Sequence, residues 1–92
     1  IFIFSDDIKF CKSYLSKYAG KINMIYPEYE SDNRTVDDLL IMSRCKHIIM
    51  ANSSYSWWAA WLNQNIEKIV ICPQTGIWGE NFYPENWLKI KV

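Results

Sequence analysis

The sequence predicts an α/β fold of the Rossmann-like type, a three-layer αβα arrangement around a small parallel sheet. Four short, largely apolar segments, at residues 1–4, 22–25, 47–51 and 69–72, are predicted as strands. The first of them is continuously apolar, which is typical of a strand that is covered on both faces. Segments with a helical period lie between these runs. Strands that alternate with helices form βαβ units with right-handed crossovers, and such units build parallel sheets.

The first two helices have recognisable boundaries. Ser5-Asp6-Asp7 begins the first helix, whose apolar stripe extends to Tyr18 before Ala19-Gly20 ends it. Thr35 is the expected N-cap of the second helix, which is predicted to run to about Lys46.

The third helix is predicted over about residues 54–63, directly after Asn52-Ser53. It contains three tryptophans in five positions: Trp57, Trp58 and Trp61. Their spacing predicts side chains that pack in the core rather than a platform for stacking bases. Residues 84–90, in a tail rich in aromatic and turn residues, are predicted as a last short helix.

The composition restricts the class of protein. The 92 residues suit one domain, half of them are hydrophobic, and the formal net charge is zero. Such a chain lacks the basic excess of a nucleic-acid-binding protein, so no nucleic-acid partner is predicted. Three cysteines without C-x-x-C spacing predict neither a disulfide framework nor a metal site. This cysteine pattern favours a reducing, cytoplasmic setting. No apolar run is long enough to span a bilayer, and no signal peptide is recognisable.

The start of the sequence predicts a piece of a longer protein. Ile1-Phe2-Ile3-Phe4 has the pattern of a buried strand and carries no initiator Met. We therefore expect residues 1–92 to be a fragment of a larger chain.

Polar residues follow the predicted strands at one end. In a parallel sheet all strand-to-helix junctions lie on one edge, and ligands of open α/β sheets bind at that carboxyl edge. The segments predicted along this rim are Ser5-Asp6-Asp7, the segment up to Asp38, Asn52-Ser53-Ser54 and Pro73-Gln74-Thr75. The sequence therefore predicts a ligand site there.

The glycines limit how a phosphate could be bound. None of Gly20, Gly76 and Gly79 follows a predicted strand, so the dinucleotide fingerprint and the Walker loop are both absent. A phosphate would have to be held by hydroxyls and helix-start N–H groups at Ser53 and Ser54. Two interpretations remain open, because capping a helix and binding an anion use the same groups.

The acidic residues also allow two interpretations. The carboxylate of Asp38 could accept hydrogen bonds from the donor edge of guanine, or it could complete a capping box with Thr35, which the local sequence favours. Asp6 and Asp7 are expected to stabilise a helix start rather than to form an acid–base pair. His47 is interpreted as a structural histidine.

Several segments together resemble the C-terminal part of the bacterial α-1,2-fucosyltransferase family. They are residues 2–7 (Phe-Ile-Phe-Ser-Asp-Asp), 38–49 and 51–63, the last containing Ser53-Ser54-Tyr55-Ser56-Trp57-Trp58. Residues 68–73 and 84–87 also match. The resemblance covers nearly the whole sequence.

This resemblance implies a GT-B architecture, in which two Rossmann-like domains face each other across a cleft. The donor substrate would be GDP-fucose, and the reaction would invert the fucose centre without a metal or another cofactor. Asp38 would bind the guanine edge, and Ser53 and Ser54 would bind the diphosphate. Asn52, Asp6 and Asp7 would lie on the same rim. The implied partners are an acceptor glycan and the N-terminal domain of the same chain, with peripheral association of the parent enzyme at the inner face of the cell membrane.

One part of the family pattern has no counterpart here. The His-x-Arg-x-Asp motif, whose arginine neutralises the leaving diphosphate, would lie upstream, and neither Arg34 nor Arg44 has a matching context. Loss of one donor that stabilises developing charge can lower a rate by about a hundredfold or more. We therefore predict that these 92 residues hold no catalytic residue and have no transferase activity alone.

Two other hypotheses come from different classes of protein. Asp6-Asp7 after a first strand would suit a phosphoacceptor signalling domain, but that fold needs an aspartate where this sequence has Ala51-Asn52 and a lysine after a fifth strand. The other is a non-catalytic α/β binding module that has kept the fold without the reaction.

Overall fold

A computed structural model describes residues 1–28, 34–74, 78–79 and 81–92. The chain divides into two compact units, Ile1–Arg34 and Thr35–Val92. No helix among these residues combines the length and the apolar character that are needed to cross a bilayer.

In the first unit, residues 1–4 and 22–25, which were predicted as strands, form only one isolated parallel β-bridge, between Phe2 and Ile25. Two backbone bonds hold it, from Ile3 N–H to the Ile25 carbonyl and from Ile25 N–H to the Ile1 carbonyl, both 2.8 Å. The prediction of two full strands was wrong. Within the described part of this unit no third strand joins the pair, so neither run gains the burial that would extend it.

The predicted first helix divides into two pieces. Helix α1 covers Ile8–Tyr14, and a 3₁₀ turn covers Ser16–Tyr18. The break comes at Leu15, whose backbone lies at φ −92° and ψ 0°. Asp7 is the N-cap, and its carboxylate accepts the Phe10 N–H at 3.1 Å. This capping role agrees with the sequence-based interpretation of Asp7.

The second unit contains a three-stranded parallel sheet, which confirms the predicted fold class. The strands are β1 (Ile48–Ile49), β2 (Val70–Gln74) and β3 (Leu88–Lys91), in that spatial order. Ile48 pairs with Val70, and Ile71 pairs with Leu88. The result is a small α/β sheet of the kind found in Rossmann-like folds.

Strand β3 corrects the predicted helix at residues 84–90. In this strand Leu88 and Ile90 alternate with Lys89 and Lys91, which is the two-residue period of a strand. The turn before it closes with a 3.1 Å bond from Trp87 N–H to the Pro84 carbonyl. The residues that resemble a helix start therefore form only a turn.

Helix α2 covers Arg34–Ser43, so two predicted boundaries were wrong. Thr35 lies inside the first turn of the helix, one residue after its start, and not before the helix as predicted. The helix ends three residues before Lys46, because it tightens into i→i−3 bonds. Arg44 N–H bonds the Ile41 carbonyl at 3.0 Å, and Cys45 N–H bonds the Met42 carbonyl at 3.1 Å.

Helix α3 covers Ser54–Leu62 and packs through small residues. Ser56, Ala59 and Ala60 are its buried positions, which have the i, i+3, i+4 spacing of one helix face. The core beside this helix contains Ile48, Met50, Val70, Cys72, Tyr83 and Trp87.

The tryptophans of α3 are distributed differently from the prediction. Trp57 is half-buried against the core, whereas Trp58 and Trp61 are 51% and 53% exposed. The small-residue face lets the helix backbone approach its neighbours closely, and the larger side chains lie on its other sides. The prediction that all three pack in the core was therefore wrong.

Candidate functional site

The N-terminus of α3 lies directly after β1 and is capped by Ser53. This residue has extended backbone angles, φ −148° and ψ 146°, and its Oγ accepts the Ser56 N–H at 3.1 Å. The same hydroxyl donates to the Ser56 Oγ at 2.9 Å. Ser53 therefore serves the helix as a cap, and both its donor and one acceptor position are occupied.

Ser54, the first residue of α3, is exposed. Among the described residues nothing hydrogen-bonds its hydroxyl, and nothing accepts the N–H groups of Ser54 and Tyr55. Two N–H donors and a hydroxyl are thus available at the positive end of the helix. This arrangement can bind an anion.

Asn52 precedes the cap and is also exposed. Its Oδ1 accepts the indole N–H of Trp78, a residue in the segment after β2. The sequence analysis missed Trp78. Nothing local marks it, because the contact joins residues that are 26 positions apart.

Asp38 is buried in α2 beside Tyr55. Burial raises the pKa of the Tyr55 phenol above its usual range, and the negative charge of Asp38 raises that pKa further, while a hydrogen bond with the Leu39 backbone opposes the shift. The Tyr55 hydroxyl also donates to the Thr35 carbonyl oxygen. The structure thus places Asp38 close to Tyr55, which follows Ser54 in the sequence.

Asp6 and Asp7 belong to the first unit. Asp7 caps α1, as described above, and its own N–H bonds the Ser5 Oγ at 3.0 Å. Asp6 is exposed. A rim shared by these residues and Ser54 remains a prediction from the sequence.

The other polar groups near α3 have structural partners. The Lys68 Nζ donates to the Ala60 and Asn63 carbonyls at the end of the helix, both at 2.8 Å, and desolvation lowers its pKa. The buried Asn63 donates to the Cys45 carbonyl. The Nδ1 of His47 accepts the Ile69 N–H at 2.9 Å, which supports its structural interpretation.

The cysteines and acids of the described residues offer little further chemistry. Burial raises the thiol pKa of both Cys45 and Cys72, so these thiols stay protonated at neutral pH and are poor nucleophiles there. No three His, Cys, Asp or Glu side chains within the described ranges are grouped so that they could hold a metal ion. Anion binding at the start of α3 is the chemistry that this part of the molecule supports best.

Comparison with known proteins gives the family. The family model described as Glycosyl transferase family 11 matches residues 1–91. The chain belongs to glycosyl transferase family 11. This match confirms the predicted resemblance at the level of the family, and it sets aside the phosphoacceptor signalling domain.

Two curated relatives of this family-11 chain come from Escherichia coli. One, the O-antigen biosynthesis glycosyltransferase WbnK, is 38% identical over an alignment that covers 98% of this chain and 30% of the relative. The other, an alpha-1,2-colitosyltransferase, is 35% identical over an alignment that covers 98% of this chain and 32% of the relative. The chain thus spans about a third of the length of these relatives. No solved structure matches it.

Proposed function

We propose that this family-11 chain supplies the donor-binding side of a glycosyltransferase that transfers L-fucose from GDP-fucose to a hydroxyl of an acceptor glycan. The observation that carries the proposal is the exposed start of α3 at the end of β1, with available N–H groups at Ser54 and Tyr55. A sugar nucleotide carries a diphosphate, which is the type of anion that such a helix start binds. A GT-B arrangement with a second domain is part of the proposal.

The roles follow from the chemistry of each group. Ser54 and the helix-start N–H groups would bind the diphosphate, and Ser53 would keep those N–H groups aligned by capping the helix. Asp38 would accept hydrogen bonds from the guanine edge, and Asn52 would contribute its amide beside the phosphates. Asp6 and Asp7 are weaker candidates, because Asp7 already has a capping role.

The catalytic step would need groups beyond these. We propose an inverting displacement without a metal, in which an arginine from another part of the parent protein stabilises the departing diphosphate. Residues 1–92 alone would then bind the donor without transferring its sugar.

Calorimetric titration of the chain with GDP, ADP and UDP tests the base preference. GDP should bind most tightly, since a carboxylate can pair with the guanine N–H donors that adenine lacks. Asp38→Asn should weaken GDP binding by about tenfold to a hundredfold, because a hydrogen bond to a charged group is worth about 1.5–3 kcal/mol. ADP binding should change little.

The matched control is Asp37→Asn, which removes the same charge from the neighbouring position of α2. It should leave the preference for GDP unchanged. Equal affinity of the wild-type chain for all three nucleotides, or no binding by a folded sample, would contradict the proposal.

A second donor is favoured by one of the relatives, which is named for the transfer of colitose. Competition between GDP-fucose and the corresponding colitosyl nucleotide distinguishes the two donors. Tighter binding of the colitosyl nucleotide would replace fucose by colitose and leave the nucleotide site unchanged.

A further inference from the structure

Trp78 differs from the other exposed tryptophans in how its ring is held. It is 38% exposed, and its indole N–H donates to Asn52 Oδ1. Trp58 and Trp61 are more exposed, and among the described residues neither indole N–H has an acceptor. A single exposed apolar side chain is ordinary in a protein, but here a hydrogen bond fixes the orientation of the ring.

A second contact supports the ring from one side. Trp78 stacks on Phe82 with centroids 4.5 Å apart and an interplanar angle of 15°. Phe82 is itself anchored, because its carbonyl accepts the Trp57 indole N–H at 2.7 Å. The indole of Trp78 thus has one face on Phe82, its N–H on Asn52, and the rest of its exposed surface toward solvent.

The two partners of this contact follow neighbouring strands. Asn52 comes after β1, and Trp78 comes after β2, which pairs with β1 in parallel. The carboxyl ends of parallel strands share one edge of the sheet, where open α/β folds bind their ligands. Trp78 therefore places an aromatic surface beside the proposed diphosphate-binding groups.

We propose that the indole of Trp78 is the surface on which the purine ring of the sugar nucleotide stacks. The inference rests on the proposed function and adds a determinant of affinity to it. Stacking needs only the flat face of a base, so Trp78 should favour GDP and ADP alike, whereas Asp38 should favour guanine alone. Stacking of one base on an aromatic side chain is worth about fivefold to a hundredfold in affinity.

Titration of Trp78 variants with GDP and with inorganic pyrophosphate tests this proposal. Trp78→Ala should weaken GDP binding by about tenfold or more and leave pyrophosphate binding unchanged, since pyrophosphate has no base. Trp78→Phe should bind GDP more weakly than the wild type but more tightly than Trp78→Ala, because its ring still stacks although it lacks the N–H that bonds Asn52. The control, Trp58→Ala, removes a more exposed indole from α3 and should change neither affinity.

Acrylamide quenching of tryptophan fluorescence gives a second measurement on the conservative variant. In the wild-type chain, bound GDP should protect the indole of Trp78 from acrylamide quenching. In Trp78→Phe, bound GDP should protect no indole. If the wild type binds GDP and Trp78→Ala binds it equally well, the stacking proposal is wrong and the donor site stands. If the wild type binds pyrophosphate but shows no gain for GDP, base recognition fails as a whole, and the Trp78 proposal fails with it.

Discussion

The two compact units of this chain use their apolar side chains in different ways. In Thr35–Val92, residues such as Val70 and Trp87 are buried, and they form one core with α3. In Ile1–Arg34, none of the described residues is buried, and large side chains such as Phe10 and Tyr14 are more than half exposed. Tertiary packing therefore stabilises the second unit, whereas hydrogen bonds and one β-bridge hold the first.

This difference bears on where a rigid binding site can form. The start of α3 is fixed by its cap, by the small-residue face of the helix and by Lys68 at its other end. Helix α1 has a comparable cap at Asp7, but none of its seven residues is buried. A helix start binds a ligand with high affinity only if the rest of the helix holds it in place, and the second unit meets that condition.

Removal of a core side chain should show the largest contrast. Trp87→Ala should lower the free energy of unfolding by about 3–5 kcal/mol, because Trp87 is only 4% exposed and its loss leaves a cavity beside Trp57 and Tyr83. Phe10→Ala, at a position that is 61% exposed, should cost under about 1 kcal/mol. Urea unfolding followed by circular dichroism measures both, and equal losses would contradict the contrast.

Removal of the helix caps Ser53 and Asp7 should show a smaller difference in the free energy of unfolding, again with the larger loss in the second unit. Ser53→Ala should cost about 1 kcal/mol, because it leaves the Ser56 N–H without its acceptor in a helix that packs on the core. Asp7→Ala removes the equivalent bond to Phe10, but α1 can fray with little effect on global unfolding. A larger global loss for Asp7→Ala than for Ser53→Ala would show that the first unit is packed more firmly than its exposure indicates.

The smallest effect at neutral pH is expected at Tyr83. This phenol is buried, and among the described residues its hydroxyl has no hydrogen-bond partner. Tyr83→Phe should therefore change stability at pH 7 by less than about 1 kcal/mol. Tyr14→Phe, at an exposed position of the first unit, is the matched control.

At high pH the same substitution should become stabilising relative to the wild type. Burial raises the pKa of Tyr83 above its usual value of 10.0, and the neighbouring Cys72 thiolate raises it further. The unfolded chain then releases its proton at lower pH than the folded chain does. The contribution of Tyr83 is complete below about pH 10 and is lost as the pH rises through the folded-state pKa. An identical alkaline unfolding profile for Tyr83→Phe and the wild type would refute this assignment.

The sequence was sufficient where short-range chemistry decides the structure. The alternation of apolar runs and helical segments predicted the parallel α/β class, and Asp7 and Ser53 were recognisable as residues that favour helix starts. His47 was correctly interpreted as structural. The two helix caps depend on neighbours three positions along the chain.

The sequence was insufficient where distant partners decide the outcome. Strand β3 follows a Pro84-Glu85-Asn86 turn that resembles a helix start, and only pairing with β2 makes it a strand. The exposure of Trp58 and Trp61 follows from the small residues on the opposite side of α3. The contact between Trp78 and Asn52 joins two loops, so no local pattern could predict it.

The most direct test of the central claim is a titration of the isotope-labelled chain with GDP, followed residue by residue in amide NMR spectra. We predict that the largest shifts occur at the backbone N–H groups of Ser54 and Tyr55, in the unit that carries the core. Shifts confined to residues 1–28, or no shifts at saturating GDP, would contradict the assignment of the donor site to the start of α3.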